Sequence, residues 1–205
     1  MSLNVDIVYV VDDEPGMRKA LARLLRSEGF EVRSFSSARD FLIAYRAGET
    51  ACLVLDVAMP DLDGIELQRR LAEAGAPIPI LFLTGHGDIP TTVRAIKAGA
   101  MDFLTKPVND ADLLRVVRAA LHKAASEKVN REMTSGLTAR FAKLTARERE
   151  VMTHVVAGKL NKQIAADLGI AEHTIKVHRG RVMEKMGVQS VADLVRAAVR
   201  LGNRS

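Results

Sequence analysis

Apolar positions fall in two regimes along the chain. In the first regime, short apolar runs alternate with stretches of helical period. Val5–Val11 is rich in β-branched residues and stops at acids. Arg18–Glu28 carries Leu21, Leu24 and Leu25 at helical spacing, Glu31–Phe35 alternates as a short strand, and Ala38–Ala47 reads as a helix. Cys52–Val57 and Ile80–Thr84 are near-continuous apolar runs, as buried strands are. Gly64–Ala74 is a helix ended by Gly75 and Pro77, Pro90–Ala98 is one closed by Gly99, and Asp110–Ala124 follows a fifth strand at Met101–Thr105. Five βα units of this kind predict a parallel five-stranded sheet with helices on both faces. In such sheets a ligand site lies beyond the carboxyl ends of the strands, so the residues just after each strand carry the chemistry.

The pattern then changes. Ser126–Ala142 is polar and weakly patterned, with Ser135-Gly136 inside it, and reads as the end of the preceding helix running into a linker. From Leu144 on the periodicity is helical throughout. The sequence therefore predicts an α/β domain over residues 1–124, a helical linker over 125–140 and an all-α domain over 141–205. Apolar residues at 48% and charged residues at 27% exclude a wholly disordered or fibrous chain. No apolar run reaches the roughly 18 residues of a membrane-spanning helix. Met1–Val11 is apolar but short, lacks a basic flank and runs into Asp12-Asp13-Glu14, so no secretory signal is expected. The single cysteine, Cys52, excludes a disulfide framework and a cysteine-based zinc site; it fits a reducing cytoplasm and reads as a buried strand residue.

Charge divides the chain at the same place. Up to Ala125 there are 15 Lys and Arg against 17 Asp and Glu, a net of −2; from Ser126 onward there are 15 against 8, a net of +7. A basic second domain beside a mildly acidic first one points to different partners, the basic one to a polyanion.

The strand ends supply the first site. Asp12 and Asp13 follow the first strand, Asp56 lies on the third, Thr84 ends the fourth and Lys106-Pro107 follows the fifth. The sheet brings them to one edge. Clustered carboxylates repel one another unless a cation neutralises them, and hard oxygen ligands with room for water suit Mg²⁺ (or Mn²⁺). Lys106 adds a fixed positive charge and Thr84 a hydroxyl donor, so the group is equipped to hold a phosphoryl group on Asp56. Asp61-Leu62-Asp63-Gly64 reads as a turn: a calcium loop begun at Asp61 would have Glu66 where Gly is required and Ala72 where Glu is required. Ser37 and His86 read as solvated loop residues.

Val11–Pro15, Leu55–Pro60 with Asp63-Gly64, Leu83–Gly85 and Lys106-Pro107 together resemble the motifs of two-component receiver domains, over about residues 4–124. The resemblance implies a flavodoxin-like (βα)5 fold and Asp56 as the phosphoacceptor. It implies a metal held by Asp12, Asp13, Asp56 and the backbone carbonyl of Ala58, and a phosphodonor histidine on a partner sensor kinase. It also implies Phe103 as a switch aromatic acting with Thr84 and Lys106, and a cis Lys106–Pro107 bond. Thr84–Pro90 followed by Ala95–Ala100 is similar to the FixJ-like branch.

In the basic domain, Thr145 and Glu148 form a capping signature for a helix that Gly158 ends. Asn161–Leu168 is a short helix with Ile164, Ala165 and Leu168 on one face; Gly169-Ile170-Ala171 is a turn; Glu172–Met186 is a second helix with Ile175, Val182 and Met186 inward. Lys176, Arg179 and Lys185, with His178 and Arg181, occupy much of the remaining surface. Helix, Gly-containing turn and basic helix is a helix-turn-helix arrangement, in which cations meet phosphates and the helix fits the major groove. Leu144–Glu150, Asn161–Ala165 and Thr174–His178 resemble the signature of the LuxR/NarL-type DNA-binding domain, over about residues 140–203, with Val188–Leu201 similar to its dimerising fourth helix. Candidate DNA-binding residues are Lys162, Thr174, Lys176, Val177, His178 and Arg181. Gln163 stands where the family commonly has Glu, and Gly180 lies inside the recognition helix, at a cost of about 1 kcal/mol relative to Ala.

The expected function is that of a cytoplasmic response regulator controlling transcription, without enzymatic turnover beyond Mg²⁺-dependent self-phosphorylation and slow autodephosphorylation at Asp56. Phosphorylation is expected to act through Thr84 and Phe103 on the face built from the 90–98 helix, the fifth strand and the 110–124 helix. Receivers then pair, and the homodimer binds double-stranded operator DNA; RNA polymerase is a further possible partner and the membrane is not one. One rival is an aspartate-nucleophile phosphohydrolase using the same Mg²⁺. That class wants Asp-x-Asp after its first strand, whereas here the acids are adjacent, and it needs no basic helical appendix. A second rival gives the basic domain an RNA target, against which the Thr174–His178 signature argues.

Overall fold

Strands β1 (Ile7–Val11), β3 (Ala51–Asp56) and β4 (Ile80–Thr84) are buried along their whole length, while β2 (Glu31–Phe35) and β5 (Asp102–Thr105) are half-exposed. This follows from the sheet order, β2-β1-β3-β4-β5, which places the three apolar strands in the middle. All pairings are parallel, with Val11 opposite Leu55, Asp56 opposite Leu83, and Thr84 opposite Thr105. The computed structural model describes residues 6–76, 78–85 and 95–202. It divides into two units, Met1–Lys128 and Val129–Ser205.

In the first unit, alternate residues of each strand feed two cores. Tyr9, Leu53 and Phe82 pack on one face with Phe41 and Leu67 of helices α2 (Ala38–Ala44) and α3 (Gly64–Glu73). Val8, Val54 and Leu81 pack on the other with Leu25 of α1 (Pro15–Ser27) and Leu113 and Val117 of α4 (Asp110–Ala142). Ser37, read as a loop residue, caps α2: its hydroxyl accepts from the Asp40 amide at 3.1 Å. Residues 95–97 are helical. The rest of the expected 90–98 helix, His86 and most of the FixJ-like segment lie outside the described residues.

Helix α4 does not end near Ala124. It continues to Ala142 through the segment read as leading into a linker, and the unit boundary falls inside it. Its last turns carry Leu137 and Phe141, which pack against the core of the second unit. That unit consists of this helix end with α5 (Ala146–Val156), α6 (Asn161–Leu168), α7 (Glu172–Met186) and α8 (Val191–Gly202). Val151, Ile164, Ile175, Val182, Met186 and Leu194 form its centre. Gly169, at φ 65°, makes the left-handed turn between α6 and α7 that a side chain would resist.

Candidate functional site

The carboxyl ends of β1 and β3 bring Asp12, Asp13 and Asp56 together, with a carboxylate oxygen of each within 4.8 Å of the others. Asp12 and Asp56 are buried and Asp13 is exposed. Asp12 Oδ1 accepts the Glu14 amide at 2.8 Å, which turns the chain into α1. Lys106 arrives from the end of β5, where its amide donates to the Thr84 carbonyl at 2.7 Å. Its Nζ donates to Asp12 Oδ2 and to Asp56 Oδ2, each at 2.9 Å. The Lys106–Pro107 bond is cis.

Burial pushes the Asp56 carboxyl above its ordinary range; the Lys106 ammonium opposes this and the Asp12 carboxylate adds to it. Burial also disfavours the Lys106 cation, but its hydrogen bonds to Asp12 and Asp56 outweigh that and raise its pKa. Three carboxylates against one ammonium leave a deficit of two charges. An all-oxygen donor set with that deficit, open to solvent at Asp13, fits a hard divalent cation.

The other expected groups fall at the same edge. Thr84 is buried at the end of β4, and its strand neighbour Leu83 lies opposite Asp56. The Ala58 amide donates to Asp56 Oδ1 at 3.4 Å. Phe103 is half-buried and packs on Phe82 with ring centroids 5.4 Å apart. Asp61–Gly64 is a turn: Asp61 has φ 65°, a region Asp tolerates, and Asp63 caps α3 through the Glu66 amide at 2.7 Å. Cys52 is buried on β3, and burial pushes its thiol far up.

Arg18 shapes the pocket without having been singled out from the sequence, and Gly64, read there only as part of a motif, shapes it by close approach. Arg18 reaches back from α1 and donates to the carbonyls of Asp12 and Asp13, at 2.7 and 3.3 Å. Gly64 passes so close to Asp56 that a Cβ would lie 2.4 Å from the Asp56 carbonyl oxygen. Arg18 carries only a weak sequence signal, a basic residue in the first helical turn after an acid pair. Beside the pocket, Met17, Leu21 and Leu24 of α1 line an open groove of about 590 Å³ with Pro107, Val108 and Leu113.

In the second unit the capping box at Thr145 and Glu148 is formed. Glu148 also receives Lys185 Nζ at 2.6 Å, and Arg179 donates to Asn161 Oδ1 at 3.0 Å. Two cations read as part of a free basic face are therefore engaged inside the unit. Lys162, Thr174, Lys176, Val177 and Arg181 are exposed. His178 is half-buried, with Nδ1 buried and unpartnered. Arg140, from the end of α4, donates to the Met186 carbonyl at 3.2 Å and so caps the last turn of α7.

Residues 8–118 match the response regulator receiver domain, and residues 142–198 match the bacterial regulatory proteins of the luxR family. The chain belongs to the NarL/FixJ family of response regulators. It is 49% identical over 195 residues to the response regulator protein TmoT of Ectopseudomonas mendocina, covering 95% of this chain and 89% of that protein. It is 44% identical to the transcriptional regulatory protein FixJ of Bradyrhizobium diazoefficiens, covering 95% of each. Among solved structures, the response regulator StyR superposes with a TM-score of 0.88 at 46% identity, covering 96% of this chain and 99% of that one. As a response regulator, the protein is a phosphorylation-controlled regulator of transcription: a receiver that answers to a sensor kinase, joined to a LuxR-type domain that binds DNA. No helix among the described residues is long and apolar enough to cross a membrane.

Proposed function

We propose that Asp56 is the phosphoacceptor and that the receiver works in the cytoplasm with Mg²⁺ or Mn²⁺ held by Asp12, Asp13, Asp56 and the Ala58 carbonyl. The observation that carries this reading is the Lys106 ammonium, 2.9 Å from both Asp12 and Asp56 at the rim of the carboxylate cluster. The cation, when bound, screens charge on the transferring phosphoryl oxygens. An Asp56 carboxylate oxygen attacks the phosphorus of a phosphohistidine on the sensor kinase. The P–N bond breaks, and the kinase imidazole leaves and takes up a proton. Lys106 pairs with one oxygen of the new acyl phosphate, and the Thr84 hydroxyl donates to another. The apolar groove beside Pro107 is the surface the kinase would cover while its histidine reaches the pocket. Phe103 follows Thr84, receivers pair, and the dimer binds operator DNA through Lys162, Thr174, Lys176, Val177, His178 and Arg181, where it meets RNA polymerase. Apart from this self-phosphorylation and slow autodephosphorylation, no catalysed turnover is expected.

Asp56→Asn tests the assignment, because it keeps the shape and removes the nucleophilic charge. With acetyl phosphate and Mg²⁺, the wild type should gain about 80 Da in intact mass, one phosphoryl group as in other phosphoryl transfers. The variant should gain none. A stable adduct on the variant would place the acceptor elsewhere.

A further inference from the structure

We propose that Arg18 is a positioning residue of the phosphoryl-transfer site, which holds the Asp12-Asp13 main chain in the register that cation binding requires. The inference rests on the metal-dependent reading above. Arg18 lies in the first turn of α1, where its amide donates to the Glu14 carbonyl at 3.0 Å. Its guanidinium Nη1 is shared between the carbonyls of Asp12 and Asp13, at 2.7 and 3.3 Å. An arginine beside an acid pair would ordinarily take a carboxylate, the stronger charge-assisted partner. Among the described residues Arg18 forms no ion pair at all. It grips the backbone and leaves Asp12 Oδ2 and Asp56 Oδ2 to Lys106 and the exposed Asp13 carboxylate to solvent.

That choice matters because of where the chain is. The Asp12 amide still bonds to the Phe35 carbonyl, at 3.3 Å, but Asp13 lies beyond the last residue pair of the sheet. The side chain of Asp13 is the exposed member of the cluster. The grip on its carbonyl stands in for the missing strand ladder and limits the directions in which its carboxylate can point. Groups that orient a metal ligand from behind typically contribute 10- to 100-fold to metal affinity.

Charge and geometry make opposite predictions, which renders the idea decidable. As a nearby positive charge, Arg18 should repel a cation, so removing it should tighten binding. As a clamp it should strengthen binding, so removing it should weaken it. Full-length wild type, Arg18→Met and Arg18→Lys would be titrated with Mn²⁺, with the free ion followed by electron paramagnetic resonance. Arg18→Met keeps an apolar stem and is expected to bind Mn²⁺ about tenfold more weakly, at the lower end for such orienting groups. Arg18→Lys keeps the charge and one donor and should recover part of that loss. In acetyl phosphate labelling, Arg18→Met should need correspondingly more Mg²⁺ for half-maximal rate and approach the wild-type rate at saturation. The small donor keeps kinase docking out of the measurement. Binding by Arg18→Met as tight as wild type, or tighter, overturns the role of Arg18 alone. A wild type that takes up no Mn²⁺ overturns the reading of the acidic pocket, and this inference with it.

Discussion

At Gly64 the main chain leaves no room for a side chain. A Cβ would lie 2.4 Å from the Asp56 carbonyl oxygen and 3.1 Å from the Phe82 ring, while the Gly64 amide donates to the Val57 carbonyl at 3.0 Å. The first turn of α3 is thus pressed against the strand end that carries Asp56, the proposed acceptor. Gly64→Ala must push these segments apart; overpacking of this kind costs about 1–3 kcal/mol. Chemical denaturation followed by circular dichroism should show that loss, and acetyl phosphate labelling of Asp56 should slow. Unchanged stability and rate would mean that the segment yields freely. Glu148 is a second single residue with a wide reach. Hydrogen bonds from Lys185 and from the Thr145 amide lower its pKa from the ordinary 4.5 to about 2. Its folded pKa is depressed, so its stabilisation is complete above the unfolded value and is lost as pH falls from about 4.5 toward about 2. Glu148→Gln should be less stable than wild type at neutral pH, and the difference should shrink with acidification across that window. Parallel melting curves at every pH would sink the assignment.

Among the elements, α7 is the one proposed to read DNA. Lys185 and Arg179 are engaged inside the unit, which leaves Lys176 and Arg181 as its exposed cations, with Val177 about 40% exposed beside them. Lys176 lies near the amino end of the helix, where contacts to bases and nearby phosphates concentrate. Lys176→Ala should weaken binding to all duplexes and reduce the salt slope by about 1. Val177 offers a methyl-sized apolar surface suited to a thymine methyl. Val177→Ala should cost preferred sites roughly 1 kcal/mol and leave random DNA nearly unchanged. Anisotropy on an operator and on random duplex across a salt series reads both. Equal weakening on the two duplexes by Val177→Ala, or an unchanged slope for Lys176→Ala, would contradict this placement.

For the molecule as a whole, the division of charge sets the logic. The first part carries a net of −2 and the part from Ser126 onward +7, so DNA attraction resides in one unit and the phosphate chemistry in the other. A signal written at Asp56, the proposed acceptor, would therefore act by changing how copies of the chain associate or present their basic units. Light scattering should find the protein mainly monomeric without acetyl phosphate and dimeric with it, and operator affinity should rise in step. Tighter operator binding by a phosphorylated monomer would show that pairing is not the device.

Much of this was readable from local pattern. The continuous apolar runs at Val8–Val11, Leu53–Leu55 and Leu81–Leu83 specify central strands, because only strands covered on both faces can be apolar at every position. Once the strands are placed, parallel order alone puts Asp12, Asp13, Asp56, Thr84 and Lys106 at one edge. The Thr145 and Glu148 capping box is equally local, a bond across three residues. What local pattern misses depends on partners far along the chain. The pattern of Ser126–Ala142 gives a helical linker but not the anchoring of its far end, where Leu137 and Phe141 pack into the core of the second unit. Lys185 is withdrawn from the basic face by Glu148, 37 residues away, and Arg179 by Asn161, 18 residues away. The grip of Arg18 on two carbonyls and the closeness of Gly64 to Asp56 are matters of backbone approach. Hydrophobic period reports which side of an element is buried; only the packed fold decides which polar groups then meet.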